Sequence, residues 1–435
     1  MSSRTSGDYV TAVPSRSHKE MRRSKVPTFE RILRFIYQIQ GRLFEEEGSP
    51  RSLLFREISR QGIEAFERRA PVVWTTSYVF PMELIAALGL IPVDFEIYAG
   101  LMSAAKQTGC ILSAADRAGI PQDICTIHRI AMGAALLDQL PRPDILLSTT
   151  HYCDGKAKTN EFMAHHYGVE YLLLDMPLED TQPAREYLES QLRAIFRRLC
   201  ELVEREPEEK LLVGPVRHFN EMTRCLKRVN RIRQESPTPL IPNNGGFTLS
   251  FMNTLLHGTP HATEVYARLE HSFLQAKAKG AIPPESMRFL WLMASPTFDT
   301  PIFRFLEERG GRIAMEELSH CYWEEMDEER PIASMARRML SNTFMGPVMR
   351  RAETALMLAG RYRVDAALHY GHLPCRQSNG ALQVIKDLLE SEGIRLINLE
   401  ADLSDPANFP EGRIMDQLST FWEILSSRGG LRGTA

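Results

Sequence analysis

Two hydrophobic periods alternate along this chain. Val72-Val73-Trp74-Thr75-Thr76-Ser77-Tyr78-Val79 is a β-rich run. It feeds Pro81–Gly89, where proline opens and glycine closes a helical stretch. The short apolar runs Asp144–Ser148 and Tyr171–Asp175 are bounded by turn residues, as buried parallel strands are. From Ala184 to Glu206 the spacing shifts to threes and fours. Leu188, Leu192, Ile195, Phe196, Leu199, Leu202 and Val203 then share one face, which predicts a long amphipathic helix.

Ser236-Pro237-Thr238-Pro239 through Asn243-Asn244-Gly245-Gly246 breaks the pattern and marks a boundary. Beyond it strands are expected at Phe289–Ala294, Arg312–Glu316, Ala366–Tyr370 and Arg395–Leu399, and helices at Pro301–Arg309, Asn379–Glu392 and Met415–Leu425. Strands alternating with helices imply an α/β fold with parallel sheets covered on both faces. The expected architecture is two Rossmann- or flavodoxin-like units with a helical middle: a tail over 1–27, an N-terminal α/β domain over 28–183, a connecting region over 184–284 and a C-terminal α/β domain over 285–435. Between the two units a cleft is expected.

Composition narrows the class. At 43% hydrophobic over 435 residues the chain can bury ample core. A formal charge of −3 leaves no basic footprint for nucleic acid, and no apolar run reaches the roughly 18 residues a membrane span needs. The basic start, Arg16, Lys19, Arg22, Arg23 and Lys25, precedes no apolar segment, so it reads as a disordered, solvated tail and not as a secretory signal. The seven cysteines are scattered without a short framework, which argues for reduced thiols in a cytoplasmic setting.

Three of those cysteines stand at the edges of regular elements: Cys125 in Asp-Ile-Cys, Cys153 in Thr-His-Tyr-Cys-Asp-Gly and Cys375 in His-Leu-Pro-Cys-Arg. In open parallel sheets ligands bind beyond the carboxyl ends of strands, where Cys153 and Cys375 fall. Cys125 precedes a helical run, a setting that favours the thiolate. The pattern suggests a three-thiolate metal site. Sequence separation gives no local proof, and three unrelated cysteines remain the plain alternative. Cys110, Cys200, Cys225 and Cys321 carry no such signal.

Ordered blocks add to this: Ser77–Gly89, Pro143–Ser148 through Cys153-Asp154-Gly155-Lys156 to Leu174–Pro177, Asp365–Cys375, and Glu392-Gly393-Ile394 to Glu400-Ala401-Asp402, followed by Arg413 and the helix with Phe421. In that order they resemble the 2-hydroxyacyl-CoA dehydratase and benzoyl-CoA reductase superfamily, with the likeness covering most of the chain after residue 70. The resemblance implies that Cys125, Cys153 and Cys375 each give a thiolate to a [4Fe–4S] cluster with one iron left open. It also implies a related second subunit, an ATP-dependent iron–sulfur activator and an acyl-CoA substrate, with one-electron ketyl chemistry eliminating water. No phosphate-binding glycine motif is present, so ATP hydrolysis falls to a partner. An aromatic acyl-CoA reductase subunit and a non-catalytic electron-relay subunit stay open.

By position, Ser77 matches a serine beside the open iron and Glu96 an acidic residue that moves a proton, whereas a turn serine and a solvated carboxylate are the plain readings. Glu83 reads as a first-turn carboxylate on a helix dipole. His128 and His151 neighbour the cysteines and read either as donors to sulfur or as structural histidines. Gly245-Gly246 reads as a turn.

Overall fold

A computed structural model describes residues 28–43, 49–239, 241, 245–320 and 324–428. The expected tail over 1–27, Asn243, Asn244 and Cys321 lie outside them. Helices α1 (Phe29–Leu43) and α2 (Pro50–Glu67) precede β1 (Val72–Thr75), α3 (Glu83–Ala86), β2 (Ile91–Asp94), α4 (Phe95–Ala104), α5 (Thr108–Arg117), α6 (Thr126–Leu136), β3 (Ile145–Thr149), α7 (Asp154–Tyr167) and β4 (Glu170–Leu174). The helical middle is α8 (Gln182–Leu202), α9 (Val213–Arg233), α10 (Gly245–Asn253) and α11 (Pro260–Ala278). Then come β5 (Met287–Leu292), α12 (Pro301–Glu308), β6 (Gly311–Glu316), α13 (Pro331–Leu340), α14 (Val348–Arg361), β7 (Ala366–His372), α15 (Arg376–Asn379), α16 (Leu382–Ser391), β8 (Arg395–Ala401) and α17 (Glu411–Arg428).

Both sheets are four-stranded and wholly parallel, ordered β2-β1-β3-β4 and β6-β5-β7-β8. Each enters at an inner strand, steps outward, then crosses back to the other side. A crevice therefore opens between the carboxyl ends of β1 and β3, and another between those of β5 and β7. The inner strands are buried along their whole length, which is why they read as continuous apolar runs. Alternate side chains of β5 still divide between two cores: Phe289 and Trp291 pack under α12 and α17, while Leu290 and Leu292 pack under α14 and α16.

Sequence pattern and structure part company at β2 and in the link between β6 and β7. Pro92 sits inside β2, a place a central strand forbids, but β2 pairs only with β1 and so is an edge strand that spares the missing N–H. The β6–β7 link leaves its own sheet: Met326, Ile332, Met335, Met339 and Met345 are buried in the core of the first unit. Arg338 of this link makes a doubly hydrogen-bonded ion pair with Glu83, at 2.6 and 2.8 Å, both side chains being buried. Glu83 does lie in the first turn of α3, yet this guanidinium is what holds it. Likewise Arg233 grips Glu316 of β6 with two bonds of 2.8 Å, and the Tyr78 hydroxyl donates to the Leu318 carbonyl. These ties fix the two crevices against each other.

Candidate functional site

All three singled-out cysteines occupy the residue immediately before a helix: Cys125 before α6, Cys153 before α7 and Cys375 before α15. Cys153 follows β3 and Cys375 follows β7, so each belongs to one of the two crevices. Between them lies a cavity of about 210 Å³ whose wall includes Cys125, Cys153 and Cys375 together with Glu96, His128 and His372. That is well beyond the roughly 10–15 Å³ a single water requires. The other described cysteines are elsewhere; Cys200 and Cys225 are buried in the first core, and Cys110 bonds weakly to the Gln107 carbonyl.

Two of the loops that build this wall are held in costly backbone conformations. Seven described residues other than glycine have positive φ. Arg68, Lys106, Asp138, Glu204 and Arg363 directly follow helices, where the left-handed conformation ends the helix. The remaining two, Tyr152 at 44° and Met293 at 67°, follow β3 and β5 and line the cavity. Such conformations cost on the order of 1–3 kcal/mol each and persist where surrounding structure enforces them, commonly around functional sites.

Burial governs the thiols. Cys125 is pushed well above the usual thiol range by burial first and then by the neighbouring Cys375 and Cys153. Cys153 is pushed up to about 11, again by burial, with Lys156 opposing. Cys375 is raised by burial although its sulfur accepts the Ser378 N–H at 3.3 Å. The helix start before which Cys125 sits does not overcome desolvation, so the expectation of a favoured free thiolate there is corrected. These thiols ionise only with a compensating positive charge at the cavity.

His372 supplies a contact that sequence reading missed. Its Nδ1 accepts the Leu403 N–H at 3.1 Å, which leaves the ring proton on Nε2, 3.4 Å from the Cys125 sulfur. An N–H donor thus faces that sulfur. Thr126 and Asp402 hold the same corner together through a bond of 2.5 Å. His128 instead places Nε2 3.6 Å from Glu96 Oε1. His151 is wholly buried and held low, at about 3, by burial and by Lys156; its bonds run to Val79 and Asn342.

Ser77 and Glu96 are joined through Asp94. The Asp94 carboxylate caps α4 by accepting from the Glu96 and Ile97 N–H groups, and it accepts from both the N–H and the hydroxyl of Ser77. Burial, then the charge of Glu96, pushes Asp94 up to about 7, while those donors hold it back. Glu96 lines the cavity; Ser77 is buried and is not among the described lining residues, its Oγ lying 2.8 Å from the Thr254 hydroxyl. Lys156 is also buried, donating to the His151 carbonyl and lying over the Tyr152 ring at 5.1 Å; burial lowers its ammonium.

Among the described residues no group of three or more His, Cys, Asp or Glu side chains is gathered so as to hold a metal ion. No described helix is long and apolar enough to cross a membrane.

Comparison with known proteins identifies relatives over most of the chain. The chain is 22% identical over 387 residues to an (R)-phenyllactyl-CoA dehydratase alpha subunit of Clostridium sporogenes, covering 84% of this chain and 92% of that one. It is 21% identical to the alpha subunit of a lactoyl-CoA dehydratase of Anaerotignum propionicum, covering 84% and 93%. It is also 21% identical to a benzoyl-CoA reductase subunit of Thauera aromatica, covering 74% and 81%. The family model of the 2-hydroxyglutaryl-CoA dehydratase D-component matches residues 77–425, from the turn after β1 into α17, and the chain therefore belongs to that family.

Proposed function

We propose that this chain is the iron–sulfur subunit of a 2-hydroxyacyl-CoA dehydratase and that Cys125, Cys153 and Cys375 hold a [4Fe–4S] cluster in the cavity between the sheets. The observation that carries this is the convergence of three thiols, distant in sequence and drawn from both units, on one cavity. Cluster thiolates each bind a different iron, so they ring a volume instead of meeting at a point. The donor set fits: three sulfurs line the cavity, no fourth cysteine is among its described lining residues, and a cluster held by three thiolates would keep one coordination position for another ligand. Bound there, the cluster would supply a single electron and a Lewis-acidic iron to the thioester.

The chain's own residues supply the rest. His372 directs its Nε2–H at the Cys125 sulfur, which fixes that ligand's orientation and withdraws charge from it. Glu96 presents the carboxylate proposed to move the substrate proton, with His128 near enough to share it. Asp94 holds Glu96 in place through the α4 cap. Ser77 is proposed to occupy or guard the open position. Its hydroxyl is committed to Asp94 in this structure, so that role requires a side-chain rotation that forfeits a buried hydrogen bond, about 1–3 kcal/mol. Tyr152, Phe247, Phe251 and Met293 keep water out. A related second subunit and an ATP-driven activator complete the proposed system, since this chain carries no ATP motif.

The benzoyl-CoA reductase relative, at the same 21% identity as the lactoyl-CoA dehydratase one though over less of each chain, favours a second reading in which the same cavity serves reduction of an aromatic thioester. An anaerobic assay of 2-hydroxyacyl-CoA and aromatic acyl-CoA thioesters, with partner subunit, activator and reductant, decides. Dehydration that falls sharply in Glu96→Gln and Ser77→Ala is expected. Turnover of aromatic thioesters alone transfers the assignment to a reductase, and no turnover by a cluster-replete complex leaves electron relay.

A further inference from the structure

The cavity that the cysteines line also has an apolar wall built by α10 and α4 that contributes no cysteine. α10 contributes Phe247, Phe251 and Met252, and α4 contributes Ile97 and Leu101. The aromatic members are locked into a continuous stack. Phe247 and Phe251 lie parallel at 5.6 Å, Phe251 meets Tyr78 at 5.5 Å, and Tyr78 meets Tyr152 at 6.1 Å edge to face. The Tyr78 hydroxyl is bonded to the Leu318 carbonyl, so the stack has a fixed footing. Rings held in this way present a preformed apolar surface at little cost in lost side-chain freedom on binding.

Charge on the same wall is one-sided. Among the described lining residues no lysine or arginine occurs, and the one carboxylate is Glu96. Two buried cations stand outside the described lining: Lys156, which donates to the His151 carbonyl beneath the Tyr152 ring and acts electrostatically on Cys153, and Arg351, which is doubly bonded to Glu317. A carboxylate at the far end of an acyl chain would be stripped of water next to Glu96 and thiolates with no lysine or arginine among the described lining residues to pair with it. A buried unpaired charge costs several kcal/mol.

We propose that this site takes uncharged acyl groups with a bulky apolar or aryl side chain and rejects acyl groups ending in a carboxylate, with Phe247 and Phe251 as the specificity-determining residues. The inference rests on the acyl-CoA dehydratase reading and narrows it to an aryl or branched aliphatic 2-hydroxyacyl-CoA, as opposed to the dicarboxylic substrate for which the family is named.

Binding of 3-phenyllactyl-CoA, lactyl-CoA and 2-hydroxyglutaryl-CoA to the anaerobically purified, cluster-containing protein with its partner subunit, measured by calorimetry without reductant, tests this. The phenyl thioester should bind at least about 10-fold tighter than lactyl-CoA, since even one buried methylene is worth roughly that much. 2-Hydroxyglutaryl-CoA should bind weaker than both. Phe251→Ala should lower affinity for the phenyl thioester about 10-fold while leaving lactyl-CoA within about twofold, a pattern that general unfolding cannot give. Thr248→Lys, which adds a cation at a half-buried wall position, should raise affinity for 2-hydroxyglutaryl-CoA alone. Equal affinity for all three thioesters, or a preference for the dicarboxylic one, overturns the inference while leaving the dehydratase reading intact. Failure of every thioester to bind overturns both.

Discussion

Replacing Arg338 by Met should destabilise the protein by about 3–5 kcal/mol at neutral pH, the cost of stranding a buried charge. Glu83 is completely buried, accepts both guanidinium bonds, and has as its other titratable neighbour His257, whose imidazole is held down to about 4 by burial. In the intact pair burial pushes the Glu83 carboxyl upward, but Arg338's charge and hydrogen bonds outweigh this, and the carboxyl is held below its ordinary value of 4.5. Its contribution is therefore present above that value and is lost as pH falls through the lower folded one. Without Arg338 the balance inverts, and the cavity left by the guanidinium favours neutral Glu83. Protonating a carboxyl of ordinary pKa 4.5 at pH 7 costs 2.5 units at about 1.36 kcal/mol each, or about 3.4 kcal/mol, within the range above. Where the proton goes to His257 instead, the pH dependence keeps its direction. Arg338 also stacks on Phe219 at 4.2 Å, a contact of about 1–2 kcal/mol that the thioether replaces in part. Urea unfolding of wild type and Arg338→Met at pH 7 and pH 5.5 measures both terms. The variant's deficit should shrink by at least about 1 kcal/mol at the lower pH, and Glu83→Gln combined with Arg338→Met should recover part of the loss. A deficit below about 1 kcal/mol, or one independent of pH, would refute the claim that this ion pair clamps α13 to the turn preceding the site.

His372→Phe should leave the fold intact but move the reduction potential of the reconstituted cluster to more negative values, because a hydrogen bond to a ligating sulfur stabilises the reduced state; His372→Gln, which keeps an N–H donor, should restore most of the shift, and identical potentials would remove His372 from the site. Gly133→Ala should cost about 1–3 kcal/mol, since the new Cβ would lie 2.4 Å from the Ile111 carbonyl oxygen where α5 crosses α6. Thermal melting checks it at roughly 1 °C per kcal/mol for a chain of this length, and an unchanged midpoint would contradict the close approach of the helix that Cys125 begins.

Much of the scaffold is legible in the residue pattern because parallel strands buried on both faces and amphipathic helices leave strong periodic signals. The Leu188–Leu199 stripe gives α8 to within a few residues, and β3, β5, β7 and β8 stand close to their apolar runs. The cysteines announce themselves by standing at element edges. What escapes the pattern is what depends on partners far away in sequence. β2 is four residues long and contains a proline, so only its edge position makes it a strand. Helix α13 has an ordinary amphipathic face, and nothing local says that this face packs on the first unit and not the second. Gly380 and Ala381 separate the expected Asn379–Glu392 helix, which starts at Leu382, from the short α15 that Cys375 precedes, although the Gly380 N–H still donates to the Arg376 carbonyl at 2.8 Å. His372 lies in the same block as Cys375, yet its proton points to Cys125, a pairing that only folding creates.

The central claim is most directly tested by iron and sulfide analysis, with reduced-state electron paramagnetic resonance, of protein purified without oxygen as wild type and as the single variants Cys125→Ser, Cys153→Ser, Cys375→Ser and Cys110→Ser. The account predicts about four irons per wild-type chain, unchanged content in Cys110→Ser, and severe loss in each of the other three. Full cluster content retained in Cys153→Ser or Cys375→Ser would contradict it.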